Sequence, residues 1–196
     1  MSFAKILATG AFVLACAAPA YAADLYKTDQ GHTEVRIAWS HAGVSMQHGE
    51  FTNAEGTLML DQDNVEASSL TATIQAASIS TGFGPLDEHI RTADFLEVET
   101  YPTITFQSTA ISRTGDTTAD ITGDLTLHGT TKPVTMAATM THLGDHPLGA
   151  FLDYYKGDWA AFAATMEIDP AEFGVGMTIP VGKLVIEIST ELKAPG

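Results

Sequence analysis

Apolar and polar residues change places at nearly every step along this chain. Val35, Ile37 and Trp39 alternate with Glu34, Arg36 and Ala38. Leu70, Ala72, Ile74 and Ala76 alternate with Thr71, Thr73 and Gln75, and Val134, Met136, Ala138 and Met140 with Thr135, Ala137 and Thr139. The same beat runs through Leu58 and Leu60, Ile104 and Phe106, Ile121 to Leu127, Phe162 to Ile168, and Leu184 to Ile188. A period of two puts successive side chains on opposite faces, so each run reads as a strand with one buried face. Turn residues punctuate the runs: Ala54-Glu55-Gly56, Asp61-Gln62-Asp63-Asn64, Thr114-Gly115-Asp116, His128-Gly129 and Leu143-Gly144-Asp145. About eight antiparallel strands, each apolar on one face, predict an all-β barrel or sandwich.

The 196 residues suffice for one domain with a substantial core, and no repeat or low-complexity tract divides them. Small residues (Ala72, Ala76, Gly123, Ala138 and Ala164) share the apolar faces with large ones. They either leave room for a ligand or meet facing aromatics that fill the space. Both readings stand at this level.

The segment LDEHIRTADFLEVETYP, Leu86 to Pro102, breaks the alternation. Leu86, Ile90 and Ala93 fall on one helical face, and Pro85 suits a first helical turn. Asp87 and Glu88 sit where the helix dipole favours anions, and Asp87 is one turn before Arg91, the spacing of an ion pair. Tyr101, preceding Pro102, is pushed to extended geometry, so a strand is predicted to start there. The prediction is a short helix and loop packed on the barrel through Leu86, Ile90 and Phe95.

Lys5, the apolar run Ile6 to Ala18 and the Ala20-Tyr21-Ala22 site have the pattern of a cleavable secretory signal over residues 1–22. The run is too short for a membrane span. The domain is then residues 23–196, in the periplasm, without the chain's one cysteine and so without a disulfide. Val13-Leu14-Ala15-Cys16 is a near-lipobox, and an acylated Cys16 is the competing expectation. Loss of Lys5 leaves eight bases against 24 acids, a formal charge of −16. Such a chain repels nucleic acid and anionic lipid surfaces, which argues against nucleic-acid binding.

The chain contains no G-x-S-x-G, no H-E-x-x-H and no phosphate-binding glycine loop, and Gly174-x-Gly176 is too short for one. The expectation is a protein that is not an enzyme and carries no cofactor. Seven histidines (32, 41, 48, 89, 128, 142 and 146) keep metal binding open as a rival. His142 and His146 straddle Gly144 and precede Pro147, which disfavours the helix that would align them, so no metal ligand is assigned.

The segment LDEHIRTADFLEVETYPTITFQST resembles the signature of the YceI-like family, exported lipocalin-like proteins that bind polyisoprenoids and other long amphiphilic lipids. HTEVRIAWSHAGVSMQHGEF, SISTGF, GDLTLHGTTKPV and FAATMEIDPAEFGVG are similar to further family segments in the same order. The likeness covers essentially the whole chain after the signal. Pro170 stands where the family commonly has arginine, and His48 where a base is frequent. If those arginines hold a charged headgroup, this chain prefers a neutral lipid.

The resemblance implies an eight-stranded antiparallel lipocalin-like barrel with a short helix near one mouth, and room for side chains or one ligand. It implies a carrier or sequestering protein for a polyprenyl or quinone-like lipid, with a homodimer and a transient membrane-protein partner left open. The candidate ligand contacts are Trp39, His41, Phe51, Ile74, His89, Arg91, Phe95, Phe106, Met136, Phe162 and Met166. Within that set His89 and Arg91, with Asp87, are read as structural or gating, with headgroup contact as the alternative. The competing function is a stress-related structural or partner protein with a side-chain-filled barrel. A metal-binding protein and a hydrolase without a known motif come after it.

Overall fold

The computed structural model describes residues 23–177, 179 and 181–195. The expected signal over 1–22, with Cys16, lies outside the described residues. The described chain has ten strands: β1 (Asp24–His41), β2 (Ser45–Phe51), β3 (Ala54–Leu60), β4 (Ser69–Gln75), β5 (Ile79–Ser80), β6 (Thr103–Arg113), β7 (Thr118–Leu127), β8 (Thr130–Asp145), β9 (Asp158–Ile168) and β10 (Leu184–Lys193). One α-helix, α1 (Gly84–Arg91), follows β5. Eight strands close the barrel in the order β1-β3-β4-β6-β7-β8-β9-β10, and β10 returns to pair with β1. The expected eight-stranded antiparallel barrel is therefore present. The short β2 and β5 are additional, and form a side wall on the second half of β1.

The alternation places the core as predicted. Val35, Ile104, Phe106, Leu125, Leu127, Met136, Ile168 and Ile186 all point inward and are buried. Their polar neighbours face outward, where Thr122 meets Thr135 and Thr126 meets Thr131 through hydroxyls across β7 and β8, both at 2.8 Å. Leu127 pairs with Thr130, so a two-residue loop joins β7 to β8. Such a loop needs positive φ at both residues; His128 has 51° and Gly129 73°. Gly123 answers one of the two readings of the small inward residues. A Cβ there would lie 2.4 Å from the Phe106 ring, so at this point an aromatic fills the space.

The helix is shorter than its sequence period suggests. It ends at Arg91, with Pro85 in its first turn, and Ala93 lies exposed beyond it. Of the predicted contacts Ile90 and Phe95 pack on the main core, together with Leu96 and Val98, while Leu86 is outside that cluster; the helix and the loop after it close one barrel end. The predicted Asp87–Arg91 pair is replaced by stronger contacts. Asp87 Oδ1 accepts the Thr81 hydroxyl at 2.6 Å and the Thr81 N–H at 2.7 Å. Arg91 Nε donates to the Ala77 carbonyl at 2.8 Å and Nη2 to the Ile79 carbonyl at 2.6 Å. Arg91 thus ties the helix to the β4–β5 connection and to β5 itself, Asp87 ties it to Thr81 just after β5, and Ile79 is 0% exposed.

Candidate apolar cavity and its lateral seam

The inward faces of the barrel strands do not meet completely. Between them runs a cavity of about 200 Å³. Six of the expected ligand contacts line it: Phe51, Ile74, Phe106, Met136, Phe162 and Met166. Ala72, Ala138 and Ala164 line it as well, and here the small residues do leave space. The remaining expected contacts lie outside the lining. Trp39 is half-buried, one inward position beyond the lining residue Ile37, because β1 outruns the cavity. His41 is exposed at the end of β1. His89 packs edge-on against Phe95 with ring centres 5.1 Å apart and approaches Asp94 at 3.1 Å. Phe95 belongs to the packed closure, and Arg91 is committed to two carbonyls. Val35, Ile37, Leu70, Leu125, Ile186 and Ile188, outside the expected contacts, also line the cavity. Their signal was the same alternation that predicted the strands.

One end is shut by Ile79, Leu96, Phe173 and Val175, the other by Tyr26, Leu60, Ala160 and Leu192. The wall between the ends is not uniform. Strand β1 pairs with β3 through Asp24–Lys27 and with β2 from Val35 onward, so residues 28–34 pair with neither. On the other side of β1 the register to β10 shifts between Thr28 and Thr33. Residues 29–32 form a bulge. Across this seam, Thr28 Oγ1 accepts the Gly56 N–H at 2.9 Å, and the Gln30 side-chain amide donates to the Ala54 carbonyl. Behind it, the Thr33 and Thr190 hydroxyls share a hydrogen bond of 2.8 Å. Apart from Thr105, every polar side chain lining the cavity stands at this seam: Thr28, Thr33, Glu55 and Thr190.

A shallow polar depression lies outside the seam, lined by Lys27, Thr28, Asp29, Gln30, Tyr154 and Lys193. Thr28 belongs to both spaces. Burial works against the charge of Asp29, yet its carboxyl is held below the usual range. Bonds from His32, the Gly31 N–H and Tyr154 outweigh the desolvation. The same contact with Asp29, at 2.8 Å, raises His32 above its ordinary value. Lys193 lies over the Tyr154 and Trp159 rings, 5.1 and 5.2 Å from their centres, and donates to the Tyr154 carbonyl.

His128 Nε2 and Glu97 approach to 3.4 Å beside Tyr101, and His146 and Glu191 to 3.4 Å beside Tyr155 and Trp159. Among the described residues no group of three or more His, Cys, Asp or Glu side chains is placed to hold a metal ion.

The YceI-like domain model matches residues 26–194. A UPF0312 protein of Pseudomonas putida strain W619 is 40% identical over 188 residues, covering 94% of this chain and 93% of its own. The crystal structure of Burkholderia cenocepacia BcnA superposes with a TM-score of 0.72 at 22% identity, covering 84% of this chain and 98% of that one. A polyisoprenoid binding domain from Saccharophagus degradans, implicated in plant cell wall breakdown, superposes with a TM-score of 0.65 at 12% identity, covering 88% and 99%. At these identities the two structures speak for the fold.

Proposed function

Because the chain belongs to the YceI-like family, we propose that it is a non-enzymatic binding protein that holds the tail of a long apolar amphiphile inside its barrel. The compartment is the periplasm and the role transport or sequestration. The observation that carries this reading is the cavity, walled by apolar side chains from the barrel strands and shut at both ends by packed core. Each methylene moved from water into it contributes about 0.8 kcal/mol. Immobilising the chain offsets part of that gain. The volume selects the occupant: about 200 Å³ is narrow beside the roughly 300–1,000 Å³ of most small-molecule pockets. That narrowness favours a thin, flexible chain such as a polyisoprenoid over a bulky ring system. Met136 and Met166 on the wall are the side chains best able to yield as it enters.

Protein purified from its own host should carry one long apolar molecule per chain, seen as added mass in native mass spectrometry and recovered by organic extraction. An intact mass equal to the bare chain, with no uptake of an added polyprenol, would overturn the reading. That result would favour a barrel filled by its own side chains, as Phe106 over Gly123 already is locally.

A further inference from the structure

We infer that the polar end of the bound amphiphile leaves the barrel sideways, through the seam between the β1 bulge and β3, and that Lys27 and Lys193 hold it there as an anionic headgroup. The inference rests on the carrier reading and adds the exit, the second subsite and the charge of the ligand. Three observations carry it. The cavity surface is apolar throughout, so a headgroup must sit outside it, and the residues with polar side chains that border it, Thr105 apart, gather at one place, the seam. That place is where β1 pairs with neither β2 nor β3, and side-chain bonds from Thr28 and Gln30 span the gap. Immediately outside it, Thr28 opens onto the depression that contains both lysines.

The charges give the headgroup its sign. In a chain this acidic, free cations are scarce. Arg36, Lys132, Lys156 and Lys183 are paired with carboxylates, and Arg91 is bonded to carbonyls. Among the described residues that leaves Lys27, Arg113 and Lys193 without an acidic partner, and two of these three line the depression; Lys193 is held by the Tyr154 carbonyl and the Tyr154 and Trp159 rings, none of which neutralises its charge. Its one carboxylate, Asp29, is already met by His32, the Gly31 N–H and Tyr154. Asp24 and Asp158, whose fields reach Tyr26, do not line it. A phosphate or carboxylate on a short polar stem therefore finds two ammonium groups in the depression, where Asp29 is engaged; Glu55, exposed and in no ion pair among the described residues, is a carboxylate at the seam beside its path that the two ammonium groups outnumber. The arginines absent at Pro170 and His48 then say nothing about headgroup charge, because this site lies on a different wall.

The test compares geranylgeranyl phosphate, geranylgeraniol and inorganic phosphate on the wild type, Lys27→Ala/Lys193→Ala and Lys27→Arg/Lys193→Arg. The wild type should bind both lipids, the phosphate ester more tightly. Two exposed charge contacts together correspond to about fivefold in affinity, so the alanine variant should lose about that factor for the ester and none for the alcohol, and the arginine variant should recover it. The alcohol also reports that each variant folds. Equal ester affinity in all three proteins overturns the inference while leaving the carrier reading intact. Lysine-dependent binding of inorganic phosphate as tight as the ester overturns it too, since the site then serves a free anion. Failure of the wild type to bind either lipid overturns both.

Discussion

The helix-capped end of the barrel and the seam in its side are built from similar residues and differ in how they are closed. At the capped end Arg91 donates to two carbonyls, Asp87 accepts from both donors of Thr81, and Ile79 beneath them is fully buried. At the seam one glutamine and one threonine side chain span a gap that has no ladder bonds. A charge-assisted bond to a fixed partner is about twice as strong as a neutral one, and core packed behind it excludes competing water. The same sheet thus carries a permanent lid and a closure that opens at small cost. What sets them apart is the bonding of the backbone, not the apolar content of the wall.

Arg91→Ala attacks the lid and should have the largest effect. It strands two carbonyls, and a loss of about 2 kcal/mol is expected, or roughly 4–8 °C in Tm for a domain of this size. Geranylgeraniol content should be unchanged at temperatures where the variant is folded. A normal melt with lost lipid would make Arg91 a ligand contact and erase the contrast.

Gln30→Ala attacks the seam. One neutral, half-exposed bond is worth about 0.5–1 kcal/mol, so the melt should move by roughly 1–4 °C. Release of bound geranylgeraniol, followed by stopped-flow transfer to acceptor vesicles, should accelerate severalfold, with the equilibrium affinity nearly kept. If Arg91→Ala accelerates release more than Gln30→Ala does, the lipid leaves past the helix and not through the side.

The smallest effect is that of pH. His32 has its pKa raised by the bond to Asp29, so its contribution is fully present below the ordinary histidine value of about 6.5 and is lost as pH rises through the raised value. The pair is partly exposed, which limits the effect to a few tenths of a kcal/mol. Asp87 has its pKa lowered, chiefly by the Thr81 hydroxyl, so its contribution is kept above the ordinary aspartate range and lost only as pH falls through the depressed value. Amide exchange corrected for intrinsic rate, measured at pH 5.5 and 8.5, should therefore quicken at residues 29–33 and stay constant over 84–91. Equal change at both places would mean that His32 does not hold the bulge.

Much of this molecule was legible in the sequence, because alternation is a local signal tied directly to which face is wet. Ile37, Leu70, Leu125 and Ile188 were marked as inward by period alone, and all line the cavity. The family segments supplied the closed barrel. The seam was not legible. Thr28 and Thr33 alternate like any strand residues, and the break appears only when β10, β2 and β3 are laid beside them. The Asp87–Arg91 pair was misread for a similar reason. Helical spacing counts only partners on the helix, while the better partners, Thr81 and the carbonyls of Ala77 and Ile79, come from the segment before it. Trp39 and His41 were assigned to a wall that β1 continues past.

The pairing of β10 with β1 also has a consequence for how the chain reaches its native state. Ile37 lies opposite Ile186, so the bond that turns a sheet into a barrel joins residues from the two extremes of the chain. Its loop-closure entropy is met last, after the hairpins from β6 to β9 have formed from near neighbours. Until Leu184–Lys193 arrives, β1 and β9 both present open edges, with Val35, Ile37 and Met166 facing water. Without its last strand the sheet keeps two open edges, the geometry that invites pairing with a second chain, so the interval between the arrival of β9 and of β10 is when those edges are exposed.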